Sequence, residues 1–102
     1  MAVIFHLAMP DKWAAAGAAG TYTRSTRGMS LTAVGFLHCS RGDQWKQIRA
    51  LLYAADPEVL LLTIDTTRLT SPWQFDPVED DEYAHIYGPL NLDAVIAVKQ
   101  LS

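Results

Sequence analysis

One cysteine, Cys39, is all the thiol chemistry in these 102 residues. It cannot form an internal disulfide, and such a chain suits a reducing compartment. No apolar run approaches the ~20 residues needed to cross a bilayer. The N-terminal "MAVIFHLAMPDKW" lacks a basic leader and reaches His6 and Pro10 too soon for a signal-peptide core. It therefore reads as a mature strand, and the expected location is the cytoplasm. Basic charge is scarce: eight Lys and Arg face eleven Asp and Glu, a net charge of −3. The cations are scattered, so the stripe expected of a nucleic-acid binder is missing. Also missing are a glycine-rich phosphate loop with its lysine, paired-cysteine zinc spacing and a helical H-E-x-x-H motif. These gaps leave a small molecule or nucleotide as the expected partner, with no membrane role and no metal. The length suits one domain, residues 1–102.

Half of the residues are apolar, enough for one buried core. "AVIFHLA" has strand character, with Val3, Phe5 and Leu7 on one face and Ile4, His6 and Ala8 on the other. "DKWAAAGAAG" predicts a helix with Asp11 near its N-terminus, Trp13 as its anchor, and Gly17 or Gly20 at its end. The hydroxyl-rich "TYTRSTRGMSL" reads as a binding loop. In "AVGFLHCS", strand alternation puts Phe36, His38 and Ser40 on one face and Leu37 and Cys39 on the other. Trp45, Ile48, Leu51 and Leu52 then form an amphipathic stripe within a helix over 41–55, stopped at Asp56 and Pro57. "EVLLLTID" is the expected central strand, covered on both faces. Two prolines and the acidic run Glu79, Asp80, Asp81 and Glu82 predict a turn, a short strand over 73–75 and an exposed loop. A Gly-Pro turn and a strand over 94–98 close the chain. About two helices and five or six short strands imply a compact α+β domain with a mixed or mostly antiparallel split sheet.

His6, His38 and His85 each lie on or beside an apolar strand. Such histidines are either core residues bonded to backbone or, if their strands are neighbours, the convergent lining of a ligand cleft. Because adjacent strand residues face opposite ways, His38 is not positioned as a base for Cys39, which reads as a packing residue. Ser40 shares the His38 face and would be its partner in a small hydrolase, with no oriented acid or oxyanion hole evident. Tyr22, Arg24 and Ser25 are loop residues suited to covering a ligand, with Arg24 or Arg27 available for a phosphate. Asp65 is expected to cap the "TTRL" turn. The acidic run reads as solvated surface, and Trp13, Trp45 and Trp73 as core or rim aromatics.

"IFHL" with Trp13, "GTY" with Ser25, "GFLHCS", "LLLTID" and "HIYGPLNLDAV" together resemble the bacterial family known as domain of unknown function 952, over nearly the whole chain. Family members often carry Glu where this chain has Val34 and Asp76, so neither position is assigned a role. The family in turn resembles the ADP-ribosyltransferase-like fold group, which implies NAD bound between two facing sheets. In the most similar subgroup, two histidines contact NAD and an apolar residue replaces the usual catalytic Glu. His6 in "IFHL", His38 in "LHCS" and, for the apolar position, Ile86 in "HIYG" correspond. The resemblance implies His6 and His38 on the ribose and diphosphate, and Tyr22 or Tyr87 stacked on nicotinamide. Ser25, Ser40 and His85 complete the expected set. Two readings stand: an ADP-ribosyltransferase-like enzyme or binder of an NAD-derived nucleotide, and a noncatalytic binding or interaction module with structural histidines.

Overall fold

In the computed structural model, which describes residues 2–25, 31–56 and 58–101, the apolar pattern closes into an α+β domain. Strand β1 (Val3–Ala8) leads into helix α1 (Pro10–Ala19) and the short strand β2 (Thr21–Tyr22). The single-turn helix α2 (Leu31–Val34), β3 (Leu37–His38) and α3 (Trp45–Leu52) follow. The remainder is β4 (Val59–Asp65), β5 (Trp73–Val78), β6 (Asp81–Ile86), β7 (Leu90–Asn91) and β8 (Val95–Leu101). The strands pair as β1-β4-β8, β2-β7 and β3-β6-β5. Every pairing is antiparallel. One bridge between Phe5 and Ser40 joins the two larger sheets, with amide-to-carbonyl bonds of 2.8 and 2.7 Å. The split sheet expected from short connections is therefore present.

The apolar run of β4 makes it the centre of its sheet, and its two faces serve two cores. Leu62 and Ile64 join Ile4, Ala8, Tyr22, Leu37 and Ile86 in the larger cluster. Val59 and Leu61 join Leu7 and Tyr53, against which Phe5, Trp45 and Ile48 pack. Strand alternation puts Ile4 and Phe5 into different clusters, as the pleat requires. Burying a side chain such as Leu62, fully enclosed, contributes about 1.5–3 kcal/mol.

Proline and glycine set the limits of α1. Pro10 occupies the first turn, where its missing N–H is not needed, and Gly20 ends the helix at φ 88° with its N–H on the Ala16 carbonyl. Gly17 lies inside the helix.

Several elements differ from the sequence expectation. There are three helices and eight strands among the described residues, because a four-residue α2 and two-residue strands are too short to show a period. Helix α3 is shorter than the expected 41–55, and Leu51 on its stripe is 73% exposed. The final strand is Val95–Leu101 rather than 94–98. The largest difference follows the expected strand over 73–75, where the expected loop is instead the rest of a hairpin. β5 runs through Pro77 to Val78, and Glu79, with φ 55°, helps turn the chain into β6. β5 is an edge strand, where proline's missing donor removes no ladder bond.

Candidate functional site

His6 is brought to the junction of the two larger sheets by β1 and enclosed there, with 3% of its surface exposed. Its Nδ1–H donates to the His38 carbonyl at 2.6 Å. A carbonyl only accepts, so that proton fixes the tautomer, and Nε2 accepts from the Tyr22 hydroxyl at 3.0 Å. Burial and the nearby His38 push the His6 pKa down to about 4, against the opposing pull of its carbonyl bond, so the ring is neutral at pH 7. Tyr22 is itself buried between His6 and Trp13, and its pKa is raised chiefly by desolvation. Replacing Tyr22 with Phe would leave Nε2 as an unpaired buried acceptor. A loss of about 1–3 kcal/mol in urea unfolding is expected; unchanged stability would contradict this role.

Ser25 is buried and its Oγ accepts the His38 amide N–H at 3.2 Å, bracing β3. His38 is exposed, and desolvation together with neighbouring His85 lowers its pKa. Cys39 packs into the larger core, and burial pushes its thiol pKa up. A protonated thiol at neutral pH suits a packing residue, not a nucleophile.

His38, Ile48 and Tyr83 form the wall shared by two adjoining recesses. One, of about 300 Å³, is also lined by His6, Ser40 and Tyr53. The other, of about 450 Å³, is bordered by His85, Leu51, Glu79 and Asp80. Together they form one cleft between α3, β3 and the β5–β6 hairpin. His6 and His85 thus lie at opposite lobes, and His38 meets both.

The second lobe contains a feature that the sequence does not reveal. His85 is 4% exposed on β6, and its Nδ1–H donates to Asp76 at 2.7 Å. Asp76 also accepts from Tyr87 and Gln74. The Tyr87 bond is the largest cause of its lowered pKa, which keeps the group a carboxylate. Phe36 stacks on the His85 ring at 4.0 Å between centroids, and His38 meets it edge-on at 5.2 Å. Among the described residues, His85 Nε2 is the sole buried side-chain nitrogen or oxygen without a hydrogen-bond partner.

Asp76, assigned no role from sequence, is thus the residue that orients His85. Pro77 and the acidic run hid its strand. Once β5 and β6 pair Gln74 with His85 and Asp76 with Tyr83, alternation puts Gln74, Asp76, His85 and Tyr87 on one face. Ile86, the position matched to the apolar residue, points the other way into the larger core.

Tyr87 is 40% exposed beside Asp76. Ser40 is largely buried and held through its backbone at the sheet junction. Arg24 borders a separate recess with Lys12 and Tyr22, and Arg27 lies outside the described residues. Asp65 caps its turn through Thr67, at 3.0 Å from the amide and 2.7 Å from the hydroxyl. The acidic run is not uniformly free surface: Asp81 accepts from Arg41 at 3.1 Å and Gln44 at 3.0 Å. No cluster of three metal-ligating side chains occurs among the described residues, and no described helix is long and apolar enough to cross a membrane.

The family model described as "Protein of unknown function (DUF952)" matches residues 7–98. The chain belongs to the DUF952 family. Two crystal structures of protein CC0527 from Caulobacter crescentus, both from a structural-genomics consortium, share the fold of this DUF952 chain. The protein as named is 24% identical and a double mutant of it 22%, each with a TM-score of 0.87. Each match covers 99% of this chain and 87% of that one. At that identity the likeness shows the fold alone. A search of curated proteins finds no match.

Proposed function

We propose that this DUF952 protein binds the pyridinium-ribose end of NAD, or an NAD-derived nucleoside, in the cleft centred on His38. The supporting observation is the cleft's composition: imidazole, phenol and aliphatic walls, Glu79 and Asp80 at the rim, and no Lys or Arg among the described residues that line it. A diphosphate finds no counter-ion among those described residues, whereas a nicotinamide riboside carries a positive ring that the acidic rim attracts. His38 and Tyr83 offer hydrogen bonds to ribose hydroxyls. The reading differs from the one implied by resemblance in two particulars. Both His6 ring nitrogens are already bonded, so His6 contributes by fixing the His38 backbone. Tyr22 is enclosed and Tyr87 lines neither recess, which leaves Tyr83 as the aromatic surface near the ligand. An ADP-ribosyltransferase-like transfer from the bound nucleotide belongs to the same reading, with no catalytic Glu assigned.

Nicotinamide riboside, NAD and ADP-ribose titrated separately against imidazole NMR signals test it. Saturable movement of the His38 signal by the first two, with a weaker response to ADP-ribose, is expected. Unchanged His38 signals at millimolar nicotinamide riboside would sink the reading. The alternative, a noncatalytic module with structural histidines, is favoured specifically by the closed bonding of His6.

A further inference from the structure

We propose that His85, oriented by Asp76, is a general base that activates water against an uncharged or cationic carboxylic ester held in the second lobe of the cleft. Nothing in this requires the pyridinium-ribose reading; it rests on the Asp76–His85 pair.

An isolated buried imidazole would satisfy both nitrogens or turn one to solvent, since a buried acceptor left unpaired forfeits its bond to water without replacement. Here one nitrogen is bonded at 2.7 Å to a carboxylate and the other is enclosed without a partner. The carboxylate fixes the proton on Nδ1 and leaves the Nε2 lone pair free to accept. Asp76 is in turn held by Gln74 and Tyr87, while Phe36 packs on the ring face, so the imidazole has little freedom to rotate. His85 lines a lobe of about 450 Å³, ample for water and a small ester. His38, whose lowered pKa keeps it neutral, and Tyr83 line the same lobe and carry N–H and O–H donors for a developing oxyanion.

The step balances without a further reactant. One water O–H bond breaks, its proton goes to Nε2, and the freed electron pair forms a bond to the ester carbonyl carbon. The carbonyl electrons move to oxygen, then return as the bond to the leaving oxygen breaks. The leaving oxygen takes the proton from Nε2. The products are a carboxylic acid and an alcohol, with His85 neutral again. The imidazolium formed in between is stabilised by Asp76. Nε2 is enclosed in this structure, so the step requires the cover over the ring, where Phe36 and His38 pack, to open far enough for His85 to meet the reacting water; Asp76 is a positioning residue acting through it.

Hydrolysis of 4-nitrophenyl acetate by the full chain provides the test. The wild type is expected to turn it over, and His85→Gln to lower the rate constant by about a hundredfold or more with an unchanged circular dichroism spectrum. Asp76→Asn is expected to lower it at least about tenfold and to move the His85 proton from Nδ1 to Nε2, read from imidazole ¹⁵N shifts. If His85→Gln fails to fold, Asp76→Asn decides alone. A wild-type rate no greater than that of the substituted proteins overturns the proposal. So does a rate that survives His85→Gln but vanishes in Ser40→Ala, which would assign the turnover to Ser40. Turnover without any nicotinamide riboside response would sustain this proposal while sinking the nucleotide reading.

Discussion

Leu62→Ala is expected to lower the unfolding free energy by about 2–5 kcal/mol, the cost of removing buried methyl groups and leaving a partly collapsed cavity. Leu62 is fully buried in the central strand, opposite His6 on β1 and Val98 on β8. It lies in the larger core with Ile4, Leu37 and Ile86. The cavity would therefore open where both larger sheets contribute side chains. For a domain of this size, each kcal/mol moves the melting temperature by about 4–8 °C, so a fall of at least about 8 °C is expected. Leu51→Ala on exposed α3 surface makes the comparison and should cost under about 1 kcal/mol. Equal losses in the two variants, measured by calorimetry, would contradict this account of the core.

The second large effect is acid sensitivity centred on His6. Its pKa falls from 6.5 to about 4 on folding. Between those values the unfolded chain holds a proton that the folded chain does not. Stability therefore rises with pH across this window. The contribution is fully present above about pH 6.5, is lost progressively as pH falls, and is gone below about pH 4. A difference of this size corresponds to about 3 kcal/mol. His38, also lowered, acts in the same sense, with a smaller effect because it is exposed to solvent. The lowered carboxylates, Asp43, Asp65, Asp76 and Asp81, begin to lose their stabilising contribution only below about pH 5, as the unfolded chain takes up protons. The upper window thus isolates the histidines. Urea unfolding at pH 7 and pH 4.5 should show the loss in wild type, and His6→Gln should flatten it even though that variant is less stable at pH 7. An equally steep pH dependence in His6→Gln would show that His6 is not its source.

Both effects depend on strand geometry, and strand geometry was the most legible part of the chain. The β-branched and apolar content of β1 and β4 set their positions, and the two-residue period set which side chains share a face. That period separated Cys39, buried with Leu37, from exposed His38. The near-continuous apolar run of β4 predicted that the central strand is covered on both sides, as the two core clusters show. Asp65 beside "TTRL" was readable as a cap because capping needs only a hydroxyl and an amide two residues away. Local rules suffice for local contacts.

The hairpin was misread for an equally local reason. Proline and four acidic residues argue against a strand in isolation, and only the edge position of β5 makes them acceptable. With that hairpin went Asp76 and its bond to His85, nine residues apart in sequence but diagonal neighbours on one sheet face.

Composition, alternation and the resemblance of the motifs determined a one-domain α+β chain, its family and the identity of the candidate histidines. Only tertiary structure decided what each histidine does. His6 meets the His38 carbonyl 32 residues away and is closed by Tyr22, while His85 meets a carboxylate and keeps one nitrogen unpaired. The physical reason is that an imidazole's character is set by the partners of its two nitrogens. For these three histidines, those partners come from strands whose register the sequence alone does not specify.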